Sequence, residues 1–193
     1  SEEGGELAYA ERSQWDRFWL VDPLDVTKEF IRRNGEFTVN IALIEDHKPV
    51  LGVVYAPALE QIYYGSLSEG AFIASHISPE TNVEIIVDNA EKLPRAYERN
   101  TLNVVASKSH LNEDTKNFIS QLEKESSLPV DTVNTGSSLK LCLVAEGTAD
   151  IYPRFGPTME WDTAAGHAVV KAAGKTVLHA ENGEELTYNK ENL

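Results

Sequence analysis

Cysteine is nearly missing from this chain. Cys142 is the only one in 193 residues, so no disulfide can form within the chain and a reducing compartment is the natural setting. Positive charge is also scarce: 17 Lys and Arg stand against 31 Asp and Glu, a net charge of −14. That balance argues against a nucleic-acid polymer or an anionic membrane as partner, since either needs a basic face. It leaves a small phosphorylated substrate open, because bound cations invert the local field. No apolar run approaches the ~18–20 residues of a membrane span, and the acidic first residues are unlike a signal peptide. The cytoplasm is the expected location. Internal repeats and low-complexity tracts are absent as well.

What is present is a chain with 41% hydrophobic residues, enough to build one large domain or two small ones with a real core. Its most informative stretch begins with Phe18-Trp19-Leu20-Val21, which reads as a buried strand and runs directly into Asp22-Pro23-Leu24-Asp25. A short helix from Thr27 to Arg33 follows, closed by Asn34-Gly35 with two arginines in its last turn. Strand, acidic turn and helix start place hard oxygen ligands beside backbone N–H groups that favour an anion. A divalent cation bridging carboxylates to a phosphate fits there. Taken alone, the two aspartates serve equally well as caps or turn formers.

Glu6 to Arg17 reads as a surface loop or short helix. Phe37 to Ile44 has large apolar residues at odd positions and mixed ones at even positions, the pattern of a strand with one buried face. Val50 to Tyr55 and Gln61 to Tyr64 follow after short turns, which implies an antiparallel meander. Residues Ser75 to Glu84 look polar and irregular, and Asp88 to Asn100 reads as a charged connection. A boundary there divides the chain into an antiparallel-sheet half, 1–98, and an α/β half, 99–193. In the second half the pattern gives strands at Leu102–Ala106, Val130–Val133, Ala149–Tyr152 and Thr176–His179. Helices are expected at Asn112–Lys124, Ser137–Ala145 and Asp162–Ala173, the last stopped by Gly174. Both ends of the chain look unfinished, as in a truncated domain.

A second acid-then-helix junction lies at Asp162, after Trp161, and by itself suits an ordinary N-cap. Two such junctions in different halves could gather carboxylates in a cleft, where they repel unless cations bind. Lys140 sits one turn inside a helix start at Gly136-Ser137-Ser138, a place suited to phosphate. Arg154, after Pro153, is either a surface charge or an anion clamp. His110 follows a strand and reads as a surface or capping histidine, and Cys142 as core.

Together these residues resemble the inositol monophosphatase superfamily of magnesium-dependent, lithium-sensitive phosphatases. Within it they are most similar to the branch of CysQ-type 3′(2′),5′-bisphosphate nucleotidases. The resemblance is carried by Ser1-Glu2-Glu3-Gly4, Trp19-Leu20-Val21-Asp22-Pro23-Leu24-Asp25 and Glu160-Trp161-Asp162-Thr163-Ala164-Ala165-Gly166, with Lys28-Glu29-Phe30 marking the nucleotidase branch. It implies a layered αβαβα fold with the site between an α+β half and an α/β half. It also implies two or three Mg2+ ions held by the carboxylates of Glu2, Asp22, Asp25 and Asp162 and the carbonyl of Leu24. Thr27 would orient the attacking water, with Glu2 and Asp25 sharing the catalytic role, and the N–H groups of Val26 and Thr27 would hold the phosphate. His110, Ser137, Lys140 and Arg154 would contact the nucleotide. The substrate so implied is 3′-phosphoadenosine 5′-phosphate, hydrolysed to AMP and phosphate, or its 5′-phosphosulfate analogue.

Two departures bear on activity. Val26 stands where the family has glycine, and a β-branched residue in a phosphate-binding turn crowds the anion or resists positive φ. Family members also begin well before this chain's first residue, and that earlier segment carries an aspartate that helps Thr27 orient the water. Weak or absent activity of the 193-residue chain is therefore expected. Two other readings compete: a phosphatase for inositol phosphate or a sugar bisphosphate, and a non-catalytic nucleotide- or metal-binding module.

Overall fold

The computed structural model describes residues 7–25, 35–106 and 112–191. After a single helical turn, α1 (Tyr9–Arg12), the chain forms a six-stranded antiparallel meander in sequential order. Its strands are β1 (Arg17–Asp25), β2 (Thr38–Glu45), β3 (Lys48–Ala56), β4 (Gln61–Ser66), β5 (Gly70–Ser75) and β6 (Glu91–Leu93). The β2–β3 hairpin turns on Asp46-His47, both at positive φ (47° and 62°), the conformation whose twist matches the flanking strands.

The acidic segment is not a turn after the strand. Asp22-Pro23-Leu24-Asp25 is the end of β1 itself. Pro23 is tolerated because β1 is an edge strand and because the register slips there: Asp22 faces Asn40 and Asp25 faces Thr38. Nor is β1 buried throughout. Leu20 is buried while Trp19 is 55% exposed, as expected for an edge strand with one wet face. The expected helix from Thr27 to Arg33 lies outside the described residues.

On β2 the fully buried face is the even one, Thr38, Asn40, Ala42 and Ile44, while Val39 and Ile41 are half-buried. The apolar odd positions suggested the reverse. The even side faces a long helix, α5 (Glu160–Ala172), which lies across the meander. That helix sits very close to the sheet. A Cβ placed on Gly52 of β3 would lie 2.3 Å from the Ala165 carbonyl oxygen and 2.7 Å from Ala168 Cβ. Small residues on both surfaces, including Ala164, Ala165 and Ala168, allow this approach.

Between β5 and β6, α2 (Val83–Asp88) forms from the end of the segment expected to be irregular to the start of the charged connection, begun by Asn82, whose side chain accepts from the Glu84 N–H at 2.8 Å. The charged connection after it contributes β6, paired with β5. Next come β7 (Leu102–Ala106), α3 (Glu113–Glu125) and β8 (Val130–Asn134), a parallel pair joined by a helical crossover. Asn112 caps α3 through the Thr115 N–H, 2.9 Å. A buried apolar helix, α4 (Leu139–Glu146), ends at Gly147 with φ 94°.

Two expected strands reduce to single bridges. Ile151 pairs with Val104 on the free side of β7, and Leu178 pairs with Glu185. Pro153 has no N–H to carry the first ladder on. The core joins sheet and helices through Ile44, Val54, Tyr63, Val105, Cys142, Val169 and Tyr188. Burial pushes the Cys142 thiol up, out of the reactive range. Among the described residues, no helix is long and apolar enough to cross a membrane.

Candidate active site

Asp22 and Asp25 are three residues apart, so on a regular strand they would point to opposite faces. The extra residue between them on β1 restores a common face. Asp162 meets them from the first turn of α5, and one carboxylate oxygen from each of the three lies within 4.8 Å of the others. Asp22 is 1% exposed and Asp25 9%. Asp162 is the third helical residue, not the cap preceding the helix: its Oδ2 accepts the Met159 N–H at 3.1 Å and the Thr158 hydroxyl at 3.0 Å. Burial raises its pKa; those two donors oppose the rise, and the charge of Asp25 adds to it.

Asp25 is anchored by residues far away in sequence. Its Oδ2 accepts from the Ser137 hydroxyl (2.7 Å) and the Ser138 N–H (2.7 Å), and lies 2.9 Å from the Ser138 hydroxyl. Thr38 on β2 approaches it at 3.4 Å and is also hydrogen-bonded to Ser137. Ser137 adopts φ 55°, left-handed backbone that is uncommon for a residue with a Cβ and is sustained here by these buried bonds. With Oδ2 surrounded by protein donors, Oδ1 is the oxygen left to a cation. On the other carboxylate of β1, Asp22 Oδ1 accepts the Leu24 N–H at 3.0 Å.

The donor set fits a hard divalent cation. It is all oxygen, anionic and buried, and three carboxylates this close repel one another without a counter-ion. It includes no thiolate or imidazole among the described residues.

Of the residues expected at the site, the structure thus gathers Asp22, Asp25, Asp162 and Ser137, with Leu24 in the bulge between the two β1 aspartates. Lys140 is buried, donates from Nζ to the Ser137 carbonyl at 2.7 Å and lies 5.6 Å from the Tyr152 ring centre. Arg154 is exposed, donating to the Pro157 carbonyl at 2.8 Å. Glu2, Val26, Thr27 and His110 lie outside the described residues.

Four contributors were not anticipated. Ser138 was seen only as part of a helix start, and Thr38 and Asn40 only as mixed positions on a strand. Two polar side chains spaced by two in an apolar strand were the available signal. Glu160, although part of the motif, had no assigned role. Its buried carboxylate accepts the backbone N–H of Asn189 (2.8 Å) and of Lys190 (2.9 Å), while Arg12 binds Asn189 Oδ1 at 3.1 Å. These contacts tie the start of α5, and so Asp162, to the far end of the described chain.

Comparison with known proteins agrees with this geometry. The model of the inositol monophosphatase family matches residues 1–193, and the chain belongs to that family. It is similar to the 3′(2′),5′-bisphosphate nucleotidase CysQ of Salmonella typhimurium, 49% identical over 94% of this chain and 66% of the relative. It is likewise 49% identical to the Escherichia coli K12 protein of that name, over 92% of this chain and 64% of the relative. The chain therefore spans just under two thirds of the length of these curated relatives. Among solved structures, it superposes on CysQ from Bacteroides thetaiotaomicron, a bacterial member of the same family, with a TM-score of 0.92 and 49% identity. That match covers 99% of this chain and 72% of the other. An inositol monophosphatase from Zymomonas mobilis, 22% identical over 95% of this chain and 66% of its own, shares the fold with a TM-score of 0.71.

Proposed function

We propose that this protein is a Mg2+-dependent phosphatase that removes the 3′-phosphate of 3′-phosphoadenosine 5′-phosphate, leaving AMP and phosphate, and that acts on the 5′-phosphosulfate analogue as a second substrate. The observation that carries the chemistry is the convergence of Asp22, Asp25 and Asp162, two on a bulged edge strand and one on a helix start. The similarity to nucleotidases at 49% identity supports the substrate class.

In this reading the site lies between the 1–98 and 99–193 halves and holds two or three Mg2+ ions. Asp22, Asp25, Asp162, Glu2 and the Leu24 carbonyl hold them. When bound, the ions neutralise phosphate charge and bring the pKa of a water toward neutrality. Asp25, with one oxygen pinned by Ser137 and Ser138, keeps its other oxygen in a fixed direction. Thr27 orients the attacking water for in-line displacement, and the N–H groups of Val26 and Thr27 hold the phosphate. Lys140, Ser137, His110 and Arg154 face the nucleotide. The acidic chain needs no basic face for this anion, because cations supply the local positive field. The single cysteine supports a cytoplasmic setting.

A phosphate-release assay tests the proposal on 3′-phosphoadenosine 5′-phosphate, inositol monophosphate and a sugar bisphosphate, with Mg2+ and then with added lithium. The expected result is slow but measurable Mg2+-dependent, lithium-inhibited release from the nucleotide. Release only from inositol monophosphate or the sugar bisphosphate overturns the substrate assignment. Saturable nucleotide binding without release from any substrate overturns the phosphatase reading.

A further inference from the structure

Asn40 is buried to 1% exposure on β2, directly opposite Asp22 in the β1–β2 ladder. Paired residues of an antiparallel ladder project to the same face, so its amide stands on the carboxylate side of the sheet. Its Nδ2 donates to the Ser138 hydroxyl oxygen at 2.9 Å, and that hydroxyl reaches both Asp25 Oδ2 and the Asp162 carbonyl oxygen at 2.9 Å.

The Ser138 hydroxyl has one hydrogen, and both of those partners can only accept it. The remaining contact must therefore donate to Ser138, which fixes the amide with nitrogen toward Ser138 and oxygen turned away. Among the described residues, Asn40 Oδ1 is then left without a hydrogen-bond donor. A fully buried carbonyl oxygen without a donor is costly, and this one belongs to a side chain on the same face of the sheet as Asp22, bonded through its nitrogen to the hydroxyl that reaches Asp25.

We infer that Asn40 is a positioning residue for the cation site, its Oδ1 accepting a hydrogen bond from a water of the cation's coordination shell. The inference rests on the cation site proposed above. A small divalent ion keeps several waters when carboxylates bind it. Such waters are strong donors, and a neutral acceptor one shell out orients them without adding charge. The orphaned oxygen and the three carboxylates thus complete each other.

The test is titration calorimetry with MgCl2 on the parent chain, Asn40→Leu and Asn40→Asp. Leucine removes the acceptor and the donor; aspartate keeps an acceptor, loses the donor to Ser138 and adds a negative charge beside the three carboxylates. The expected result is roughly a tenfold loss of Mg2+ affinity in Asn40→Leu, with Asn40→Asp at or above the parent. Affinity in Asn40→Leu within twofold of the parent overturns the inference. So does an equal loss in both variants, which assigns the effect to the Ser138 bond. If the leucine variant does not fold, Asn40→Val makes the same comparison. No Mg2+ binding by the parent removes the cation site itself, an outcome distinct from failure at Asn40 alone.

Discussion

Ser138 holds Asp25 twice, its backbone N–H donating to Oδ2 at 2.7 Å and its hydroxyl reaching the same oxygen at 2.9 Å. The two residues are 113 positions apart in sequence. A carboxylate at the end of an edge strand is thereby fixed by the start of α4, and the hydroxyl continues to the Asp162 backbone carbonyl.

Ser138→Ala removes the hydroxyl and leaves the N–H contact. We expect Mg2+ affinity to fall about tenfold and stability in urea to fall by about 1–3 kcal/mol. Calorimetry and denaturant unfolding check the two effects, and wild-type values in both would show that Asp25 does not depend on this anchor.

Gly52→Ala tests the contact between sheet and helix. Its Cβ would fall 2.3 Å from the Ala165 carbonyl oxygen, backbone that cannot swing aside, so α5 must lift from β3. A loss of about 3 kcal/mol is expected. Because α5 carries Asp162, weaker Mg2+ binding is expected with it. A variant as stable as the parent in thermal unfolding would contradict this packing.

His167 provides a pH signature. It is fully buried, its Nδ1 3.0 Å from the Tyr188 hydroxyl and its Nε2 3.5 Å from Glu185 Oε1. Burial pushes its pKa down to about 4 from an ordinary 6.5; Glu185 works against that shift and Lys171 adds to it. The unfolded chain therefore binds a proton that the folded one refuses between those values. Its contribution to stability is complete above pH 6.5 and is lost as pH falls toward 4, a span worth about 3 kcal/mol. Urea unfolding at pH 7 and pH 4.5 should show a smaller acid loss in His167→Gln than in the parent. Equal losses would mean that His167 is protonated in the folded state.

Val26→Gly addresses the residue that departs from the family's glycine. If valine crowds the phosphate, the glycine variant should raise kcat/KM for the bisphosphate nucleotide about tenfold or more, with Mg2+ affinity little changed. No gain in steady-state phosphate release would count against crowding.

Much of the site was legible because its chemistry is carried by side chains in short local motifs. Asp22 and Asp25 flank Pro23-Leu24 and Asp162 lies in a helix's first turn, so residue types and order made them candidates, and the resemblance to the family assigned them to the cation. The meander was legible for a related reason: short turns between β-rich segments leave few topologies other than antiparallel neighbours. The expected turn at Asp22–Asp25 failed because a bulge can keep a proline inside an edge strand. The buried face of β2 was misread because Thr38 and Asn40 are satisfied by Ser137 and Ser138, partners about 100 positions away. Hydropathy registers the polarity of such residues and not their partners.

By itself the sequence determined the inventory: an acidic chain with one thiol, two acid-then-helix junctions, and a period-2 first half followed by strand–helix alternation. Local geometry and solvation dictate those properties, and they can be read within a few residues. Only the tertiary structure decided that one β1 bulge turns two aspartates to a common face. It also decided that small residues bring Asp162 down onto the sheet, and that hydroxyls from the residues just before α4 and from Thr38 of β2 surround Asp25. Those outcomes depend on close packing and hydrogen bonding between segments remote in the chain, and neither has a local signature.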